Sequence, residues 1–215
     1  MSCDASVRAQ LFDGDFGLHL LRLALPLLLG SLLTAWAVQR WVQRNDRATG
    51  GRNAAPVAVA GALLGLGMGG FLDGIFLHQV LQWHQMMSNQ VPPVTLTAKN
   101  VNMFWDGIFH IATWGLTVAG VVALWRLAGR ADVLRSSGVL LGSALLGWGA
   151  FNLVDSCFNH YLFGYHNVRE VTANRAAWNF GFLLFGLAQL IAGIAIVQRA
   201  SSRPRAGGVR AAHAR

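Results

Sequence analysis

Long apolar runs alternate with short polar segments along the whole chain. Five runs are each long enough to cross a hydrocarbon layer of about 30 Å as a helix, which takes about 20 residues. They cover about residues 16–38, 55–87, 101–125, 138–163 and 176–197. The pattern predicts an all-α, polytopic transmembrane helical bundle with five spans and a single membrane domain over residues 16–198. Residues 1–15 are predicted to be an outward N-terminal segment, and the Arg-, Ser- and Gly-rich residues 199–215 a disordered basic tail.

The second run is too long for a straight span. Its 33 residues would form a helix of about 50 Å, so the segment is expected to tilt, bend or project from the bilayer. Four glycines, Gly65, Gly67, Gly69 and Gly70, offer a place for a bend or for close helix packing.

Composition supports a membrane protein. Of the 215 residues, 54% are hydrophobic and 12% are charged, and the mean hydropathy is +0.43; soluble domains average about 25% charged residues. The net charge of +8 does not indicate a nucleic-acid partner, because the basic residues lie in short loops between the apolar runs. The two cysteines, Cys3 and Cys157, form neither a disulfide framework nor a thiolate metal motif.

The basic residues predict the orientation. The loop after the first run, the loop after the third run and the tail hold 12 of the 17 basic residues. Five spans place these regions on one side, which the positive-inside rule assigns to the cytoplasm. The N-terminus and the loops around residues 88–100 and 164–175 are then expected outside.

One polar motif occurs twice. Two Asp-x4-His-x5-His sequences lie 82 residues apart, Asp73, His78 and His84 followed by Asp155, His160 and His166. Trp105-Asp106 likewise corresponds to Trp178-Asn179. We interpret spans two–three and four–five as an internal duplication of a two-helix hairpin, whose axis along the membrane normal would bring the motif helices together.

The polar residues of these spans predict a site. An ionisable group in hydrocarbon costs at least about 2.5–3.5 kcal/mol, so such residues usually face the bundle interior. Span directions place His78, His110 and His160 at similar depths in the outer half of the membrane. We expect these three as primary metal ligands, with Asp106, one turn before His110, as a fourth.

The remaining polar residues are assigned by helical geometry. Spacings of five and six residues put His78 off the face that Asp73 and His84 share in a straight α-helix. We therefore expect two layers, with Asp73 and Asp155 below the main ligands as partners of the imidazoles or as proton carriers. The histidines at the outer boundary, His84 and His166, form an outer pair, and Trp83 and Trp105 could wall the cofactor site.

The types of candidate ligand limit which metal ions could bind. Histidine and aspartate without cysteine suit zinc, iron, manganese or copper(II) and disfavour a thiolate copper(I) site. Up to eight candidate ligands exceed what one ion needs and would allow a dinuclear centre. The sequence contains no C-x-x-C-H haem-attachment motif, no H-E-x-x-H metalloprotease motif, no G-x-S-x-G elbow and no Walker loop.

Three motifs resemble those of an uncharacterised family of bacterial multi-pass inner-membrane proteins, a domain of unknown function. They are Gly69-Gly70-Phe71-x-Asp73-Gly74-Ile75-x-x-His78-Gln79-x-Leu81-Gln82-Trp83-His84, Asp106-Gly107-x-Phe109-His110, and Phe151-Asn152-Leu153-Val154-Asp155 with His160, Gly164 and His166-Asn167-Val168-Arg169. The similarity covers about residues 55 to 197 and implies a bacterial inner-membrane location. The chain departs from the pattern at Gln85 and Asn167, where histidines are expected, and the resemblance implies no activity.

Four functions stay open at this stage, and whether the protein is an enzyme is left open with them. The leading hypothesis is a His/Asp transition-metal centre with a redox, oxidase-accessory or metal-handling role. The others are a haem b electron carrier with two axial imidazoles, a proton or metal translocator that uses Asp73 and Asp155, and a purely structural membrane subunit. The expected partners are the lipid bilayer and either a second copy or a respiratory or metal-handling membrane protein.

Overall fold

The computed structural model describes residues 15–49 and 53–201. The predicted N-terminal segment, apart from Asp15, and the tail beyond Ser201 lie outside the described residues. The five helices are α1 Phe16–Thr49, α2 Ala55–Leu72, α3 Leu96–Leu127, α4 Ser137–Asp155 and α5 Arg175–Ser201. Helices α2 and α4 continue directly as π-helical segments, Asp73–Val80 and Ser156–Leu162.

The described part of the chain confirms an all-helical membrane protein. All five helices, with the π-helical extensions, are long and apolar enough to cross a membrane. Their outward faces are apolar, as in α1, where Leu32 is 67% and Leu33 63% exposed. Such faces are suited to lipid, because lipid tails are as apolar as leucine itself.

Helices α2 and α4 form the centre of the bundle and contact each other through glycines. Gly65 of α2 lies against the main chain of Ala144, and Gly147 of α4 lies against the main chain of Ala62. A β-carbon at either glycine would overlap the facing helix. Gly65 and Gly147 are 82 residues apart in the sequence, and so are Ala62 and Ala144. This is also the spacing of the repeated motif.

The second apolar run does not continue as a helix to residue 87. Its π-helical segment closes with a hydrogen bond from Leu81 N to Phe76 O, 2.8 Å, after which Gln82 takes a positive φ of 50°. The corresponding segment closes with Phe163 N to Phe158 O, 2.7 Å. A residue with positive φ follows it at Gly164, φ 59°. Positive φ is incompatible with a right-handed helix, so both runs end here in a turn.

The loops lie at two ends of the bundle. At one end the α1–α2 and α3–α4 connections meet, with Leu134 N donating to Asn53 O at 3.1 Å. Gly138 lies against Ala200 near the end of α5 at the same place. The basic loops and the start of the basic tail therefore share one end of the molecule. At the opposite end the connections after the two π-helical segments, 81–95 and 163–174, bond to each other.

Candidate metal centre

Each π-helical segment brings an aspartate and a histidine together. In an α-helix, side chains five residues apart point about 140° away from each other. In a π-helix, i→i+5 hydrogen bonding places such side chains on the same face. His78 Nε2 accordingly lies 3.1 Å from Asp73 Oδ2, and His160 Nε2 lies 3.0 Å from Asp155 Oδ2. The two layers expected from α-helical geometry are therefore replaced by a single cluster.

The connections after the π-helical segments fold into the bundle and carry His84 and His166 with them. These side chains are 3% and 1% exposed, so the expected outer pair lies in the interior. Side chains of α3 and α5 hold the inward turns: Asp106 Oδ1 accepts from Met86 N at 2.8 Å. Its counterpart Asn179 Oδ1 accepts from Val168 N at 3.0 Å.

The two central imidazoles have a defined tautomer. His84 Nδ1 donates to the carbonyl of Val168 at 2.8 Å, and His166 Nδ1 donates to the carbonyl of Met86 at 3.1 Å. A carbonyl can only accept, so each Nδ1 carries a proton, and in the neutral form of each ring Nε2 keeps a lone pair. Both Nε2 atoms are buried and have no hydrogen-bond partner among the described residues. The rings stack with centroids 4.5 Å apart and planes 6° apart.

The cluster contains two groups of side chains that could each hold a metal ion. Within each group the ligand atoms lie within 4.8 Å of one another, and every side chain is buried. The first group is His78, His84 and His166; the second is Asp155, His160 and His166. His166 is common to both.

One carboxylate lies near the Nε2 atom of each central imidazole, and the two distances are nearly equal. Asp73 Oδ2 lies 3.9 Å from His84 Nε2, and Asp155 Oδ2 lies 3.8 Å from His166 Nε2. His160 and Asp155, although close, do not have hydrogen-bond alignment, and neither nitrogen of His160 has a partner within the described ranges. Donor atoms that converge without bonding to each other are the arrangement expected around an ion.

His78 is held differently from the other histidines. Its Nδ1 lies 2.9 Å from Asp106 Oδ1, opposite the contact with Asp73. Its ring stacks on Phe109, with centroids 5.7 Å apart. Both nitrogens of His78 are thus engaged by carboxylates, and one contact must be given up before His78 can bind an ion.

Electrostatics keep His84 neutral. Burial lowers the pKa of His84 well below its usual range, and a positive charge on the neighbouring His78 would lower it further. A neutral imidazole is the form that binds a metal.

His110, expected among the primary ligands, belongs to neither group. Its Nδ1 donates to the carbonyl of Asp106 at 2.7 Å, and its ring faces Gly74. Trp105 packs on Phe16 and His19, with centroids 5.4 and 6.1 Å from theirs.

Trp83 packs on Trp178 at 5.0 Å. The carbonyls of Met86 and Val168 could not be predicted from the sequence as partners of the two central histidines, because every residue type carries the same main-chain acceptor.

Comparison with known proteins gives one family. The family described as "Predicted membrane protein (DUF2243)" matches residues 60–200, about two thirds of the chain. No curated protein and no solved structure matches.

Proposed function

The chain belongs to DUF2243, a family of membrane proteins of unknown function, and we propose that it binds a transition-metal ion inside its helical bundle. The observation that carries this proposal is the tautomer of the central histidines. The Nε2 atoms of His84 and His166 are both buried, and each lies near a different carboxylate, that of Asp73 for His84 and that of Asp155 for His166.

Binding of a metal ion would offset an energetic cost of this cluster. A buried polar atom without a partner costs about 1–3 kcal/mol, and several donor atoms lack one here. An ion in the second group would satisfy the free nitrogens of His160 and His166, with negative charge from Asp155. An ion in the first group would satisfy those of His84 and His166. Backbone carbonyls on Nδ1 are also the usual outer partners of metal-bound histidines, because they fix ring orientation.

The donors favour zinc, iron, manganese or copper(II). They do not favour haem: axial imidazoles lie on opposite faces of a porphyrin, whereas the rings of His84 and His166 stack directly at 4.5 Å. A redox, oxidase-accessory or metal-handling role fits a buried His/Asp centre of this kind. His78, a member of the first group, connects Asp73 and Asp106 in an acid–base chain.

We further propose a bacterial inner-membrane location with the N-terminus outside and the C-terminus in the cytoplasm. The support is the clustering of the basic loops at one end of the bundle, because positive charge is retained on the cytoplasmic side. The metal centre would then lie toward the outer face, next to the inward-folded connections 81–95 and 163–174.

The test is elemental analysis of detergent-purified protein after reconstitution with zinc, iron, manganese and copper. His166→Ala removes the ligand common to both candidate groups and should abolish stoichiometric binding. His110→Ala removes a half-buried imidazole of α3 that lies outside both groups and serves as the control. Wild-type protein that takes up no metal, or equal loss in both variants, would contradict the proposed site.

A further inference from the structure

The two halves of the molecule carry corresponding grooves on their outer surfaces. One groove is lined by Asp73, Phe76 and Leu77 of the first π-helical segment together with Phe182 of α5. The other is lined by Asp155 at the end of α4, by Phe158 and Asn159 of the second segment, and by Phe109 of α3. The lining residues of the π-helical segments correspond at the 82-residue spacing of the repeat.

Helix α1 occupies only one of these grooves. Leu23, Pro26 and Leu27 of α1 line the groove at Asp155, which encloses about 50 Å³. The groove at Asp73 is not covered by any described helix equivalent to α1, and it encloses about 490 Å³. We call these the filled groove and the open groove.

The carboxylates at the two grooves also differ. In the filled groove Asn159 Nδ2 donates to Asp155 Oδ1 at 2.8 Å. Leu77 stands at the corresponding position of the open groove, and Asp73 Oδ1 has no partner among the residues the structure describes. The side chain of Asp73 is only 4% exposed. The open groove therefore lacks both an apolar occupant and a hydrogen-bond donor to Asp73 Oδ1.

We propose that the open groove binds a membrane-soluble aromatic alcohol, such as a hydroquinone or phenol with an apolar tail. Its hydroxyl would donate to Asp73 Oδ1, the role that Asn159 has in the other half. Its ring would lie among Phe76, Trp148 and Phe182, since aromatic rings pack well on one another. The lining is otherwise almost entirely apolar, which suits a ligand that enters from the bilayer.

The rim of the open groove is rigid and aromatic. Trp83 and Trp178 pack edge-to-face with centroids 5.0 Å apart, and the Arg169 guanidinium lies 5.2 and 5.3 Å from their ring centroids. Cation–π contacts of this kind hold the rings in place. A flat ligand would therefore meet a preformed wall at this end of the groove.

The unpartnered carboxylate oxygen argues for a small ligand over a helix from a second copy. A leucine-rich helix such as α1 would fill the volume but leave Asp73 Oδ1 without a donor. Binding at the groove requires no metal, so the inference goes beyond the proposed metal centre.

The experiment is calorimetric titration of the full chain in lipid nanodiscs with decyl-hydroquinone, and with its dimethyl ether as the probe that cannot donate. Wild-type protein should bind the hydroquinone at least about tenfold more tightly than the ether, the ratio expected for one hydrogen bond to a charged acceptor. The preference should persist after treatment with a chelator, which separates this test from that of the metal centre.

Two variants locate the binding. Gly181→Leu projects into the open groove, where a β-carbon meets nothing within 4 Å, and should abolish binding of both probes. Gly115→Leu, an equally unobstructed glycine of α3 outside both grooves, is the matched control and should bind normally. Leu77→Asn should supply the missing donor and remove the preference for the hydroquinone without weakening the ether.

Three results would overturn the proposal. They are equal affinity for the two probes, binding that Gly181→Leu leaves unchanged, and a stable dimer in nanodiscs that Gly181→Leu dissociates. The last would identify a second copy of the chain as the occupant.

Discussion

A histidine whose Nδ1 proton is held by a main-chain carbonyl can offer only Nε2 to another group. His84 and His166 are both in this state, and each takes its carbonyl from the connection that carries the other histidine. These two reciprocal hydrogen bonds hold the two rings face to face. They also couple the two halves of the molecule at the point where the lone pairs converge.

Asp106 supports this arrangement without belonging to either candidate metal group. Its Oδ1 accepts from Met86 N and contacts His78 Nδ1, so one oxygen orients both the inward turn and the imidazole. Asp106→Asn retains an acceptor at this position but removes the charge. We expect metal affinity to fall about 10- to 100-fold with unchanged stoichiometry at saturation, as for other outer partners of metal ligands.

Competition with a chromogenic chelator measures this change. The matched control is Asp132→Asn, which removes an exposed aspartate paired with Arg130 at the opposite end of the bundle. Equal affinity of wild type and Asp106→Asn would show that the carboxylate does not support the site.

Residue type alone identified most of the cluster. Asp73, His78, Asp155 and His160 stand out because ionisable groups are rare in apolar runs. Their mutual contacts were not predictable, since an α-helix would have separated residues five apart. The central position of His84 and His166 was missed because it depends on the positive φ of Gln82 and Gly164, which turns the chain inward.

At the level of elements, the π-helical segments are the feature that creates the site. Both end with the same pair of bonds, the second being Trp83 N to Leu77 O at 2.9 Å and Tyr165 N to Asn159 O at 2.8 Å. Single-turn π-helical insertions often mark functional positions in α-helices. The internal duplication stays a prediction, and these matched bonds support it.

The helix contacts beneath the site depend on two glycines. Gly65→Ala and Gly147→Ala would each place a β-carbon against the facing main chain and force α2 and α4 apart. Overpacking of this kind costs about 1–3 kcal/mol. Both variants should lower the thermal unfolding midpoint in detergent, and by similar amounts, because the two contacts are reciprocal.

Gly115→Ala is the matched control for these substitutions. Its β-carbon meets no atom within 4 Å, so the substitution gains helix propensity of up to about 1 kcal/mol without a clash. Midpoints of Gly65→Ala and Gly147→Ala at or above that of Gly115→Ala would contradict the packing described here.

At the scale of the whole molecule, hydrophobic runs and composition predicted the five spans. Some helices continue past the predicted apolar runs, as does α1, which extends to Thr49, because a helix can carry charged residues beyond the bilayer. The pattern of apolar runs does not indicate that α1 covers only one of two corresponding grooves. That asymmetry depends on how helices pack in three dimensions.

The arrangement of basic loops predicts which end faces the cytoplasm. Val94 and Ala131 lie in exposed loops at opposite ends of the bundle. Each can be replaced by a single cysteine in a chain whose native cysteines are replaced by serine. In intact bacterial cells a membrane-impermeant maleimide should label Val94→Cys and spare Ala131→Cys until the cells are lysed. The reverse pattern would invert the proposed orientation.

The most direct test of the central claim is anomalous X-ray diffraction from crystals of the full chain grown with zinc. We expect an anomalous peak inside the bundle, about 2.0–2.1 Å from the Nε2 atoms of His84 and His166, the usual length of a zinc–nitrogen bond. No peak within the cluster, or a peak at His110 while both central Nε2 atoms stay unbound, would contradict the central claim.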